Sequence, residues 1–302
     1  MPKLYHIKAM KLIAIAAAVT LAFIASPSIA GGPSAIFSVQ VLPAGNAVVV
    51  QAITTHGTGI LSGGPDGTQK FVWPFTAAQD FRGVTATPIG SGHSLVGYIH
   101  LLSAQGTTIW PRAITDNLGN RYNITPSQVW YPYVTSPGEG ENIGIFYLAN
   151  IPAGANTLTF DFTQYPFGSG HDAGWIDAGF IEFSGVNGVN QVVDPFDAGS
   201  VQNPSLTITP TALSRIWVLG ATNSGPGDGS DLVTPGYTDL MPYEEGKDGI
   251  GIWISDATIP ATTQTLTWQN DYWNTATCGD NTPAGSTGCT VILGAVALSI
   301  GP

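Results

Sequence analysis

The sequence predicts an all-β fold, a two-sheet antiparallel β-sandwich of jelly-roll type, and three observations support it. Charged residues make up only 10% of the chain, whereas ordinary soluble domains carry about 25% and helical surfaces are usually built from Lys and Glu. The 38 glycines and 22 prolines indicate many turns. After residue 30, no segment keeps a 3.6-residue apolar period over ten residues without Gly or Pro, which argues against helices.

Short runs rich in β-branched and aromatic residues recur along the chain and are separated by turn residues. The first two, 35–42 and 46–53, flank the turn signal Pro43-Ala44-Gly45-Asn46. Further strands are predicted at 68–74, 80–88, 94–102, 127–132, 143–149, 156–163, 174–184, 204–209, 215–222, 250–255, 263–269 and 289–299. Runs 174–184 and 289–299 are mostly apolar on both faces, which predicts central strands.

The first thirty residues have the pattern of a secretory signal peptide. Three lysines precede an apolar run over residues 12–24, and small residues lead to Ala30. A membrane span needs about 20 apolar residues, so this run argues against an anchor. We expect cleavage before Gly31, a secreted protein that is extracellular or at the cell surface, and no membrane span after cleavage.

The chain then divides into two further regions by composition. Residues 31–79 are expected to form an N-terminal strand extension that includes a Gly-rich linker at 57–67. Residues 80–302 are expected to form the β-sandwich domain, which is the part of the chain that the family resemblance given below spans.

The charge of the mature chain limits its partners. Removing the leader leaves six basic side chains against 20 acidic ones, a formal net charge of −14. Such a charge repels nucleic acid and anionic lipid at long range, so we expect no nucleic-acid partner.

The two cysteines, Cys278 and Cys289, are expected to form a disulfide in an oxidising compartment. The loop between them is almost entirely turn-forming residues, and closing it contributes about 2–3 kcal/mol in the chain-entropy account. The alternative, a redox or metal pair, lacks CxxC spacing and neighbouring histidines.

Three segments and the last strand follow one another in a recognisable order. They are Ile-Thr-Asp-Asn-Leu-Gly-Asn-Arg-Tyr at 114–122, the strand–turn–strand run 143–159, and Gly-Phe-Ile-Glu-Phe-Ser-Gly-Val at 179–186. Together they resemble a β-sandwich domain common in large secreted bacterial surface proteins. The resemblance implies the fold and an extracellular, surface-associated and adhesive setting, and it supplies no catalytic residues. The chain departs from that domain by adding residues 31–79 and an acidic insertion at 224–249.

The acidic insertion is a candidate Ca²⁺ site. Asp228, Asp231, Asp239 and Glu244 lie close together in sequence in a Gly/Pro-rich stretch, and flexible oxygen-rich loops suit Ca²⁺, which takes about 6–8 oxygens. The pattern is not an EF-hand loop. The alternative interpretation is a solvated acidic loop without metal.

A cluster of aromatic residues is a candidate sugar-binding patch. Trp268, Tyr272 and Trp273 precede Cys278, and flat rings with a polar handle can stack on sugars. The alternative is that most tryptophans lie in the core. Separately, Asn123-Ile124-Thr125 is a candidate N-glycosylation acceptor.

Catalytic motifs are not found in the sequence. It contains no Gly-x-Ser-x-Gly, no His-Glu-x-x-His and no Gly-rich phosphate loop opening a helix. Asp177 and Glu182 lie five apart on one predicted strand, so they face opposite sides and are interpreted as satisfied polar groups at strand ends. We therefore do not expect an enzyme.

These observations favour a secreted, non-enzymatic surface protein that is adhesive or structural, as a filament or coat subunit. The uncharged, strand-prone stretch 35–52 could complete the sheet of a second copy by β-strand addition; its alternative is two edge strands of its own domain. In the first case, deletion of residues 31–56 should leave a soluble core. The alternative functions are a carbohydrate-binding protein, with glycans as partners, or a glycan-active enzyme.

Overall fold

The structure, a computed structural model, describes residues 47–55, 70–75, 86–103, 110–126, 128–132, 140–162, 173–199, 201–222, 230–240, 250–270 and 291–300. In this part of the chain there is no α-helix, every strand pairing is antiparallel, and the all-β prediction is confirmed. The strands are β1 (Val48–Thr55), β2 (Lys70–Pro74), β3 (His93–Ser103), β4 (Ala113–Asp116), β5 (Arg121–Ile124), β6 (Gln128–Pro132), β7 (Gly140–Ile151), β8 (Thr157–Asp161), β9 (Ala173–Ser184), β10 (Val186–Asp197), β11 (Ser205–Ile208), β12 (Ser214–Thr222), β13 (Ser230–Leu232), β14 (Tyr237–Asp239), β15 (Ile250–Ser255), β16 (Gln264–Asn270) and β17 (Val291–Ile300).

The strands form three sheets. The largest has nine strands in the order β1-β9-β3-β7-β5-β4-β8-β2, with β6 added alongside β7. A five-stranded sheet has the order β10-β17-β12-β15-β14, and a three-stranded sheet has the order β11-β16-β13. The predicted central positions of β9 and β17 are confirmed, since β9 lies between β1 and β3 and β17 lies between β10 and β12.

The nine-stranded sheet curls around its own apolar core. Side chains from its first strand, its middle strands and its last strand meet in one buried cluster, in which Ile53, Trp73 and Phe180 are all 2% exposed. Such contact between opposite ends of the strand order requires the sheet to fold back on itself. This curl follows from the twist of a long antiparallel sheet.

Two further apolar cores lie between the sheets, which therefore pack in layers. The opposite face of β3, β7 and β9 packs against the five-stranded sheet, where Val96 and Ile181 meet Trp217. The other face of the five-stranded sheet packs against the three-stranded sheet, where Val218 meets Leu206. A sandwich is therefore confirmed, and it carries a third layer that the sequence analysis did not predict.

The first two segments that carried the family resemblance, 114–122 and 143–159, contact each other through their turns. The Asp116 carboxylate accepts hydrogen bonds from the backbone N–H groups of Leu118 (2.9 Å) and Asn120 (3.0 Å) and so closes the β4–β5 turn. The Asn117 side chain accepts a hydrogen bond from the N–H of Asn156 at 2.8 Å. These motif residues therefore hold two turns together.

Several strand assignments differ from the sequence prediction, and two of the differences have a clear place in the structure. β10 was not predicted, because Gly188, Asp194 and Pro195 interrupt its apolar pattern, and its pairing with β17 shifts register three times. Residues 86–88 belong to the predicted strand 80–88 but form no strand. Strand prediction fails at bulges because they break the two-residue period.

Several expectations fall on residues outside the described ranges. These are the leader 1–30, the cleavage point before Gly31, the run 35–42, the Gly-rich linker 57–67, and the cysteines Cys278 and Cys289. Within the described residues, no helix reaches the length and apolar character that crossing a membrane requires.

Candidate functional site

The candidate site is the edge strand β1, which ends the nine-stranded sheet. In the described part of the chain β1 pairs only with β9, from Val48 opposite Ser184 to Thr55 opposite Ala178. Its sequence, Val-Val-Val-Gln-Ala-Ile-Thr-Thr, contains no charged residue, no proline and no glycine. One side of an edge strand presents backbone N–H and C=O groups that can pair with another strand.

The other edge strands of the described sheets carry features that discourage pairing. β2 contains Lys70 and Pro74, and β6 ends in Pro132. β10 contains Asp194 and Pro195 and is bulged, while β11, β13 and β14 are only three or four residues long. β1 is therefore the one long edge among the described strands that lacks both charge and proline.

A side-chain network fixes the middle of β1. The Gln51 side chain donates from Nε2 to the Glu182 carboxylate (2.5 Å) and to the carbonyl of Thr87 (2.9 Å), and its Oε1 accepts from the N–H of Thr87 (2.9 Å). Glu182 lies opposite Gln51 on β9 and is 1% exposed. The side-chain amide of Gln51 thus makes the two hydrogen bonds to the Thr87 backbone that a peptide group of a neighbouring strand would make.

Two more donors satisfy the buried carboxylate of Glu182. The N–H of Gly90 donates to Oε1 at 2.9 Å, and Nδ1 of His93 lies 2.6 Å from the same oxygen. A Cβ at position 90 would overlap the His93 ring, so glycine is required for this approach. The interpretation of Glu182 as a satisfied polar group is confirmed.

A carboxylate held against an imidazole can also serve acid–base or metal chemistry. The His93 side chain is 25% exposed, which would admit a small ligand. However, no group of three or more His, Cys, Asp or Glu residues that could hold a metal occurs among the described residues. The network's demonstrated effect is to tie β1, β9 and the start of β3 together.

A buried arginine holds the chain at the entrance to β1. Arg215, on β12 of the five-stranded sheet, is 5% exposed and donates from Nη1 to the carbonyl of Ala47 at 3.0 Å. Burial lowers the pKa of this guanidinium below its ordinary value, an effect that nearby Asp256 opposes. Arg215 therefore fixes Ala47, which directly precedes β1, to the five-stranded sheet.

A β-bulge places one apolar side chain of β1 in solvent. The register shifts between Val49 and Gln51, so Val50 has no partner on β9 and is 46% exposed. The bulge brings Gln51 opposite Glu182, which allows the network described above.

The candidate calcium ligands are only partly described. Asp231 lies on β13 of the three-stranded sheet, and Asp239 is exposed on β14 of the five-stranded sheet. Asp228 and Glu244 fall outside the described residues. The calcium hypothesis therefore stays a prediction.

The first residue of the candidate sugar-binding patch is buried. Trp268 is 0% exposed and packs edge-on against Trp253, with ring centroids 6.3 Å apart at 80°. A ring without an exposed face cannot stack on a sugar. Trp268 instead belongs to the core between the five-stranded and three-stranded sheets. Tyr272 and Trp273 lie outside the described residues.

The candidate glycosylation residue Asn123 is exposed on β5. Thr125, two residues on, is 4% exposed, and its hydroxyl accepts a hydrogen bond from the N–H of Ile145 at 2.9 Å. Asn123 is thus accessible in the folded protein, while the threonine of the motif has a structural partner.

Comparison with known proteins adds no relative. No protein-family model matches the chain, and no curated protein or solved structure does either.

The β1 site was partly foreseen from sequence, since residues 46–53 were predicted as an uncharged strand. The side-chain network that fixes β1 was not predicted, because Gln51, His93 and Glu182 are distant in the chain and share no motif. The small residue Gly90, two positions after a proline and three before a histidine, is the only local signal of that packing.

Proposed function

We propose that this protein is a secreted, non-enzymatic surface protein that acts as the structural subunit of an extracellular filament or coat. Copies join by β-strand addition: residues 35–42 of one copy pair with the side of β1 in the next copy that faces away from β9. The observation that carries the proposal is the edge strand β1, which is eight residues long, carries neither charge nor proline, and pairs only with β9 among the described residues.

The proposed donor segment, residues 35–42, has the sequence pattern of a strand. Residues 35–42 read Ala-Ile-Phe-Ser-Val-Gln-Val-Leu, an uncharged run with the alternation of a strand. They connect to β1 through the turn signal at 43–46, and Arg215 holds Ala47 at the end of that connection. The proposed donor segment therefore ends five residues before Ala47 in the chain.

A head-to-tail contact of this kind is heterologous, because the donor and the acceptor are different surfaces. Repeating it without closure gives a fibre, and repeating it with closure gives a ring. The signal-peptide pattern and the resemblance to secreted surface domains support the extracellular setting, and the net charge of −14 after the leader suits a solvated surface.

A pair of matched substitutions tests the proposal. Val50→Lys places a charge on the exposed bulge of β1, and Val72→Lys places the same charge on β2, where Val72 is 55% exposed. Lysine on an edge strand opposes pairing with another chain, so V50K should abolish the assemblies of residues 31–302 that the proposal predicts, with electron microscopy as the readout. V72K should leave them unchanged. Equal effects of the two substitutions, or no assemblies of the unsubstituted protein, would refute the proposal.

A further inference from the structure

A groove beside β4 and β5, in the middle of the nine-stranded sheet, has the features of a ligand site. Strands β4 and β5 pair only at Ile114–Tyr122 and Thr115–Arg121, after which β5 continues along β7. A groove of about 440 Å³ opens where the start of β4 and the end of β5 separate. Its lining includes Trp110, Arg112, Arg121, Asn123, Thr125 and Pro126.

The walls of the groove are held in place without a ligand. Trp110 donates from its indole nitrogen to the carbonyl of Thr125 at 3.2 Å, and Arg121 donates to the carbonyl of Arg112 at 3.2 Å. The backbone N–H of Thr125 donates to the carbonyl of Ile145 at 2.9 Å, which fixes this wall to β7. The Trp110 ring also lies against Gly144, where a Cβ would overlap it. Preformed walls lower the ordering cost of binding.

The groove concentrates positive charge on an acidic protein. Arg112 and Arg121 are two of the six basic residues that follow residue 30. Arg112 is 57% exposed and pairs with Asp161 at 3.0 Å. Arg121 is exposed and forms no ion pair with any described carboxylate. Since a guanidinium has five N–H donors, both side chains keep donors for an anion.

We propose that this groove binds a carboxylated polysaccharide. The guanidinium groups of Arg112 and Arg121 would hold the sugar carboxylates, for which arginine is suited by its planar fork of donors. The partly buried ring of Trp110 supplies an apolar surface for a pyranose, and the exposed amide of Asn123 supplies hydrogen bonds to hydroxyl groups. This inference goes beyond the proposed assembly through β1 and does not depend on it.

An acidic peptide fits the groove less well. Extended peptides usually bind by adding a strand to an unpaired edge. Here β4 is already paired with β5 and β8, and β5 with β4 and β7. The groove offers side chains and a ring rather than free backbone groups, which favours a sugar chain.

Isothermal titration of residues 31–302 with polygalacturonate tests the proposal. The protein should be produced without N-glycosylation, because Asn123 lines the groove. Arg121→Gln should weaken binding by at least about tenfold. Lys70→Gln removes the same charge from exposed Lys70 on β2, outside the lining, and should change the affinity by less than about twofold. Asp161→Asn frees Arg112 and should strengthen binding, a gain that unfolding could not produce.

Each of the following results would contradict a different part of the proposal. No binding of polygalacturonate, or equal weakening by R121Q and K70Q, would overturn the site. Dextran, an uncharged polysaccharide, should not bind, and binding as strong as that of polygalacturonate would remove the role of the arginines. Polyglutamate binding as tightly as polygalacturonate would replace the sugar with an acidic peptide.

Discussion

At Glu182, three donors from three parts of the chain converge on one buried carboxylate. Gln51 comes from β1, Gly90 from the segment before β3, and His93 from the start of β3. Such hydrogen bonds matter most when one partner is removed, because the remaining buried groups lose their solvation without compensation. Glu182 is therefore the residue on which the position of β1 depends most.

Glu182→Gln should lower the free energy of unfolding by about 1–3 kcal/mol, because an amide places an N–H₂ group against donors. Arg112→Gln is the matched control: it breaks the ion pair with Asp161, in which Arg112 is 57% exposed, and should cost under about 1 kcal/mol. Urea unfolding of both variants measures the difference. A cost for E182Q no greater than that for R112Q would show that the network does not hold β1.

Tyr237 on β14 gives a prediction about alkaline pH. Burial raises the pKa of its hydroxyl from 10.0 to about 12, and this oxygen has no hydrogen-bond partner in the described structure. Above pH 10 an unfolded tyrosine releases its proton while the folded one keeps it, so stability is lost as pH rises from about 10 towards 12.

Tyr237→Phe should therefore lose less stability than the unsubstituted protein between pH 9 and pH 12. At neutral pH the variant should be at least as stable, since the lost hydroxyl was unpaired. Thermal unfolding at several pH values measures both effects. Parallel loss in the two proteins would mean that Tyr237 ionises normally in the folded state.

Among the elements, β1 is bound into its own sandwich through two of its side chains. Ile53 packs into the core of the curled sheet, and Gln51 bonds Glu182. Residues 48–55 are thus part of their own sandwich, whereas the run 35–42 lies outside the described residues. The two halves of the stretch 35–52 therefore need separate tests.

Deletion of residues 31–46 should leave the unfolding transition intact, because β1 and its anchors remain. Deletion of residues 31–56 removes β1, exposes the Glu182 carboxylate and leaves a gap beside the core residue Phe180. We expect that second protein to lose several kcal/mol of stability, contrary to the soluble core expected from sequence. Circular dichroism during urea unfolding compares the two. Equal stability of the two deletions would show that β1 is dispensable.

Sequence reasoning predicted elements well where the apolar pattern was regular. β9 and β17 alternate or run apolar without interruption, and both were placed within two residues of their observed bounds. β10 was missed because register shifts and Pro195 break the two-residue period. β13 and β14 were missed because three-residue strands carry too little pattern to detect.

On the scale of the whole molecule, the sequence predicted a sandwich but not its third layer. Each sheet's burial pattern is visible locally, whereas the choice of partner sheet depends on long-range packing that no short window contains. The same dependence on long-range packing explains why the surroundings of Trp268 and of the groove arginines could not be predicted. Trp268 looked like a surface aromatic from its neighbours, yet the three-stranded sheet buries it. The groove arginines are nine residues apart and meet only because β4 and β5 form a hairpin.

The central claim is that the edge of β1, which pairs only with β9 among the described residues, receives residues 35–42 of another copy. Sedimentation velocity of residues 31–302, from micromolar to millimolar concentration, tests it most directly. The account predicts polymers whose mass grows with concentration and which become monomers when residues 31–46 are deleted. A monomer at every concentration would contradict it, since residues 35–42 would then have no neighbour to complete.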